Sequence, residues 1–167
     1  MSLKEGGHHS NVNVLRVCRS SDCSIYLLSM DESGYIRCWD ARSPSTYWDY
    51  PRHQEAITAA SICSLSASEM ADDDVEALSM EEDIECVPIG GALNVLCTVS
   101  RDCTLRGYAV PSGRILFHIR DSGHSLRSID CRNGYVVTAG KDGYVRCYKL
   151  FSNDIEYRFE RPKVEWE

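Results

Sequence analysis

The sequence is short of several features that would each have narrowed its function. No apolar run approaches the roughly 18 residues of a membrane-spanning helix, so membrane insertion is not expected. The opening residues, MSLKEGGHHSN, lack the apolar stretch of a secretory signal, which points to a cytoplasmic or nuclear protein. Nine cysteines are present, an odd number, and no two of them form Cys-x-x-Cys. That spacing gives no zinc site and no disulfide framework, and it suits small buried hydrophobes in a reducing compartment. His8, His9 and His118 form no metal set with a neighbouring acid or cysteine. There is no Gly-x-Ser-x-Gly elbow and no phosphate-cradling loop. No cofactor and no enzymatic activity are therefore expected.

Basic residues are missing from one long segment. Between Ser64 and Ser100 there are nine acids and no Lys or Arg. The chain has 25 acids and 18 Lys plus Arg, so outside that segment 25 − 9 = 16 acids face 18 basic residues. A nearly neutral body gives no electrostatic reason to bind nucleic acid. With 43% hydrophobic and 26% charged residues among 167, the chain can nonetheless bury an ordinary core.

What is present is a hairpin written three times: SMDESGYIRCWDA from Ser29, TVSRDCTLRGYAV from Thr98 and TAGKDGYVRCYKL from Thr138. In the last, Asp142-Gly143 between two β-rich runs is a strong turn signal, because Gly tolerates positive φ and Asp bonds its own turn backbone. Aligned on the aromatics Trp39, Tyr108 and Tyr148, the arginines 37, 106 and 146 coincide two places earlier. Ser29, Thr98 and Thr138 coincide ten places earlier. The aromatic spacings are 108 − 39 = 69 and 148 − 108 = 40, which reads as a repeat of about 40 residues with one insertion. Alternating β-rich runs place four strands in each unit: near 12–17, 25–29, 35–40 and 47–50; then 56–63, 93–99, 104–110 and 114–119; then 126–131, 135–139, 144–150 and 155–159. Ser43-Pro44-Ser45 reads as a break before the fourth strand.

These units resemble WD repeats of the β-propeller family. Trp39-Asp40 matches the dipeptide for which the family is named, and Gly123-His124 matches its Gly-His. The resemblance implies an all-β fold of three four-stranded antiparallel blades in an incomplete circle. Its divisions are an arm over 1–10, a first blade over 11–52, a second over 53–122 with an acidic insertion at 64–91, a third over 123–160, and a tail over 161–167. It also implies a buried chain of hydrogen bonds in each blade, from His to Asp, His to Ser or Thr, and Ser or Thr to the aromatic. By position these are His53, Asp102, Thr98 and Tyr108 in the second blade, and His124, Asp142, Thr138 and Tyr148 in the third. The first blade offers His9, Ser29 and Trp39, with Ser33 where the acid belongs. Such a set has the composition of a catalytic triad, but its repetition in every unit suits scaffolding.

The implied function is a non-enzymatic scaffold for protein–protein interaction within a larger assembly. The alternative is a substrate receptor or regulatory subunit of a cullin-type ubiquitin ligase. It rests on Arg42, which follows Trp39-Asp40 at the spacing by which some propellers dock on the ligase adaptor. The acidic insertion supplies further candidate docking residues, Asp72, Asp73, Asp74, Glu81, Glu82 and Asp83, although a solvated loop is the simpler reading. Ser66 and Ser79 each precede an acid by three and are candidate phosphorylation sites. An open arc also exposes sheet faces that ought to pack on neighbours: Val12, Leu15, Ile25 and Leu27 at one end, Val136, Val145, Leu150 and Ile155 at the other. Other protein subunits, further blades or a second copy are expected to complete the circle.

Overall fold

The computed structural model describes residues 7–20, 23–65, 92–120, 122–150 and 155–159; of 44–46 and 155–159 only the backbone is described. The twelve strands fall into three antiparallel sheets. The first holds β1 (Val12–Arg19), β2 (Ile25–Asp31), β3 (Ile36–Asp40) and β4 (Ser43–Tyr50). The middle sheet holds β5 (Ile57–Leu65), β6 (Leu93–Ser100), β7 (Leu105–Ala109) and β8 (Ile115–Ile119). The third holds β9 (Leu126–Arg132), β10 (Tyr135–Gly140), β11 (Val145–Lys149) and β12 (Ile155–Phe159). In each, strands neighbouring in sequence are neighbours in space, so every connection inside a sheet is a hairpin.

The repeat is visible in the register. Ser29 lies opposite Arg37, Thr98 opposite Arg106, and Thr138 opposite Arg146. Two rungs further along, the aromatics Trp39, Tyr108 and Tyr148 face Leu27, Leu96 and Val136. Each repeated hairpin turns through one left-handed residue, Gly34, Cys103 or Gly143, with φ of 85°, 67° and 81°. The fourth strand of the first sheet begins at Ser43, before the proline expected to delay it. β4 is an outermost strand, where a missing backbone N–H costs no ladder bond.

The three sheets stack. The back of the first, with Val14, Cys18, Leu28, Met30, Ile36 and Cys38, packs on Leu96, Tyr108 and Val110 of the middle sheet. The back of the middle sheet, including Val95, Cys97, Val99 and Leu105, packs on Leu126, Ile129, Val136 and Tyr148 of the third. The middle sheet is thus covered on both faces. This explains why β6, LNVLCTVS, is buried at every position rather than at alternate ones. Burial pushes the Cys18 and Cys38 thiols up to about 11, so both remain protonated hydrophobes.

The acidic segment leaves and re-enters the middle sheet at one point, because Leu65 and Leu93 are ladder partners. The ends are therefore held together by the hairpin itself. Replacing 66–91 by a short turn is expected to change the melting temperature by only a few degrees, since closure entropy varies slowly with loop length. Loss of cooperative melting in that variant would show that the segment packs.

Candidate functional site

The polar residues singled out by the repeat lie on the front face of each sheet, and the three sheets treat them differently. In the middle sheet His53 enters from the strap that follows β4, tied down by its backbone N–H to the Gly34 carbonyl at 3.0 Å. Its side chain is 0% exposed. Nδ1 lies 2.9 Å from Asp102 Oδ2, and Nε2 lies 2.7 Å from Thr98 Oγ1. Asp102 also accepts from the Gln54 and Thr104 backbone N–H groups, each at 3.0 Å, and from the Thr104 hydroxyl at 2.6 Å. Burial opposes the charge on Asp102, yet the bonds from His53, Thr104 and Gln54 outweigh it and hold the carboxyl well below its ordinary range. Burial lowers His53, against the pull of Asp102, which leaves a neutral imidazole at neutral pH. The consistent proton order is Nδ1–H to Asp102 and the Thr98 hydroxyl to Nε2. The expected fourth member, Tyr108, lies within hydrogen-bonding reach of Thr98 but sends its own proton elsewhere. The Tyr108 hydroxyl donates its one proton to the Pro51 carbonyl at 2.9 Å, pinning the strap instead of Thr98.

The first sheet completes its chain with other residues than the alignment indicates. His8, not His9, supplies the imidazole, and Asp31, not Ser33, supplies the acid. His8 Nδ1 is 2.7 Å from Asp31 Oδ2, Nε2 is 2.6 Å from Ser29 Oγ, and the Trp39 indole donates to the same Oγ at 2.8 Å. Asp31 sits two residues earlier than Asp102 in the repeat, at the position of Ser100. It still caps its turn, accepting from Ser33 and Tyr35 N–H at 2.9 and 3.0 Å. Ser33 is merely one of those donors.

In the third sheet the expected chain does not form. His124 is exposed, and its backbone, not its imidazole, bonds the Ser122 hydroxyl. Asp142 is taken by Arg146 at 2.6 Å, by Ser122 at 3.0 Å and by the Tyr144 N–H at 3.1 Å. The Arg146 hydrogen bond is the main reason its pKa falls to about 2. A charge-assisted bond to guanidinium is stronger than one to a neutral imidazole, so the arginine wins the carboxylate. Tyr148 is buried in the core behind it, and the Thr138 hydroxyl is 1% exposed with no hydrogen-bond partner. A paired prediction follows. Thr98→Val should cost about 1–3 kcal/mol by stranding His53, whereas Thr138→Val should be neutral or slightly stabilising. Equal losses in urea titrations would contradict the difference between the two sheets.

The three repeated arginines, Arg37, Arg106 and Arg146, are buried and paired. Arg37 meets Asp49 at 2.7 Å and covers the Tyr47 ring, Arg106 donates to the Arg52 carbonyl at 2.7 Å, and Arg146 covers Tyr144. Arg42 is exposed, with its guanidinium 3.4 Å from the Cys23 carbonyl and its N–H on Asp40. Asp72, Asp73, Asp74, Glu81, Glu82, Asp83, Ser66 and Ser79 lie outside the described residues.

The surfaces left open are apolar. On the first sheet's front Leu15 is 55% and Val17 66% exposed, beside Val12, Ile25 and Leu27. On the third sheet's back Tyr135, Val137 and Val145 are exposed. This corrects the expectation at that end. Val136 and Leu150 are buried, because the strand parity that exposes Val137 turns Val136 onto the middle sheet. The Ile155 side chain is outside the described residues.

No family model and no curated relative matches the sequence. Solved structures do match in fold. The computationally designed Ika8 protein aligns with TM-score 0.65 at 14% identity, over 92% of this chain and 38% of its own. U3-55K aligns at 0.64 and 22% identity, over 92% and 38%. The WD40 β-propeller domain of Doa1 aligns at 0.59 and 14% identity, over 93% and 41%. The chain thus spans less than half the length of these three structures. It has the all-β architecture of propeller blades, three antiparallel sheets in an unclosed arc.

Proposed function

We propose that the chain is a non-enzymatic WD-repeat scaffold that mediates protein–protein interactions within a larger assembly. The observation that carries this reading is the pair of apolar end faces, Leu15, Val17, Ile25 and Leu27 on one side and Tyr135, Val137 and Val145 on the other. Contiguous exposed apolar surface of this kind marks sites of association. The polar constellations speak against catalysis in the same terms. His53, Thr98 and Asp102 are sealed in the core and consumed by mutual hydrogen bonds, with no exposed hydroxyl for a substrate to reach. The test is affinity purification of the tagged chain beside Leu27→Asp and Val137→Asp. The reading expects proteins recovered in near-stoichiometric amount with the parent and depleted with one or both variants. Recovery of the parent chain alone, as a monomer, would overturn it.

A second reading, a receptor or regulatory subunit of a cullin-type ubiquitin ligase, is favoured by one observation, the exposure of Arg42 two places after Asp40 in Trp39-Asp40-Ala41-Arg42. It requires a ligase adaptor among the recovered proteins and its loss on Arg42→Ala.

A further inference from the structure

The two open faces are the two halves of an interface that the chain already makes twice. Leu27 occupies in the first sheet the rung held by Leu96 and Val136 in the other two. Leu96 and Val136 are each 0% exposed beneath the preceding sheet, while Leu27 is open. On the opposite face, Val137 occupies the rung of Leu28 and Cys97, and Val145 that of Ile36 and Leu105. Those four are buried against the following sheet, while Val137 and Val145 are exposed. The first sheet therefore lacks a back to sit on its front, and the third lacks a front to sit on its back.

The polar contacts along the innermost strands say which occupant fits. Each of these strands carries one bulged residue at the same place, Asn13, Thr58 or Arg127. At both formed interfaces this residue reaches across to a carbonyl of the next sheet: Asn13 Nδ2 to Ile57 O at 2.6 Å, Thr58 Oγ1 to Leu126 O at 2.8 Å. Ile57, Leu126 and Val12 are equivalent positions, each just before its bulge. Arg127 is exposed at the open end of the third sheet, a donor placed for a carbonyl at the rung of Val12. Three residues on, Arg16, Ser61 and Asp130 are likewise equivalent. Arg16 donates to the Ala60 carbonyl at 2.8 Å, beside Ser61, and Ser61 lies 3.4 Å from Asp130. Continuing the same rung from the third sheet to a first sheet sets Asp130 against Arg16, a carboxylate against a guanidinium that is exposed.

We propose that the open faces bind one another between two copies of this chain, head to tail, with the third sheet of one copy seated on the first sheet of the next. Three sheets from each of two copies make six, within the four to eight blades of closed propellers, and closure forms the interface twice. The contact is heterologous, since it joins different patches, and it closes because the ring returns on itself. Asp130 and Arg16 set its register by charge, and Leu27, Leu15, Val137 and Val145 supply its apolar core. The inference deepens the scaffold reading by naming the partner of its apolar faces.

The test uses the full chain, its Leu27→Asp variant with a damaged front, and its Val137→Asp variant with a damaged back. Both substituted positions are exposed, and melting curves check that folding is kept. Sedimentation equilibrium should give the parent twice the 18.8 kDa chain mass and each variant alone the single mass. Mixed, the two variants should recover the double mass, because each retains the half that the other has lost. Asp130→Arg should weaken self-association at least about tenfold. A front-to-front dimer would instead leave Val137→Asp associated and give no recovery on mixing, which overturns the proposal. So does a parent chain that sediments as one copy. A monomeric parent that still retains other proteins would overturn the second-copy inference alone and leave the scaffold reading standing.

Discussion

Replacing Asp102 with alanine is expected to cost about 3–5 kcal/mol, much of the stability of a domain this size. The carboxylate is the acceptor for four donors, the His53 ring, the Gln54 and Thr104 amides and the Thr104 hydroxyl. Truncation strands all of them in a site where His53 is 0% exposed. The readout is the urea midpoint at unchanged slope, and a loss below about 1 kcal/mol would mean that the network is ornamental. The same residues set the response to acid. Both Asp102 and His53 have folded pKa values below their unfolded ones, so at low pH the unfolded state binds more protons. Stability is therefore full above the ordinary histidine value of about 6.5 and declines below it as unfolded His53 protonates. It declines further below about 3.9, where unfolded Asp102 protonates. In Asp102→Ala the lower limb of that decline should flatten.

Gly34→Ala should be almost as damaging, at about 3 kcal/mol, for two independent reasons. Gly34 has φ of 85°, a region costly for any residue with a Cβ. A Cβ there would also lie 2.4 Å from the His53 carbonyl oxygen and 2.9 Å from that of Glu55, both backbone atoms of the strap that carries His53 into the middle sheet. The strap is fastened at this point, by His53 N–H to Gly34 O. Gly134→Ala, in the turn between β9 and β10, carries the strain of its φ of 76° but no such collision, since its Cβ would meet only Leu65 Cδ2 at 3.6 Å. It should cost roughly half as much. Equal effects would mean that the first and middle sheets are not joined through this turn.

The twelve strands were legible as alternating β-rich runs and the three repeated hairpins by turn residues at fixed offsets, although β4 begins at Ser43, ahead of the expected break. The rungs linking Ser29 to Arg37, Thr98 to Arg106 and Thr138 to Arg146 follow directly from that repeat. The polar chains were legible only where the local competition has one outcome. His53, Thr98 and Asp102 meet because Arg106 puts its short bond on the Arg52 carbonyl at 2.7 Å and approaches the acid only to 3.7 Å, while the imidazole holds it at 2.9 Å. In the third sheet the same arginine position takes the acid, and nothing in the spacing of His124, Asp142 and Arg146 says which donor prevails. In the first sheet the acid moves two places to Asp31 and the imidazole one place to His8. An alignment that holds offsets fixed picks the adjacent His9 and Ser33 instead. The signal that could have found the true pair is chemical: Asp31 is the one acid at a turn position with strand parity matching Ser29. Tyr108 stands beside Thr98 as expected, but without an indole N–H it does not donate there. A phenol is longer and donates from its tip, which here reaches Pro51.

The central claim is an arc of three stacked sheets with a sealed middle and two open ends. Amide hydrogen exchange, read strand by strand in dilute and in concentrated solution, tests it most directly. The account predicts the slowest exchange in β6 and β7 at every concentration. It predicts faster exchange in β1, β2, β10 and β11 when dilute, slowing as the protein is concentrated and the end faces are covered. Equal protection of all three sheets in dilute solution would contradict it, for that is the behaviour of a molecule with no ends.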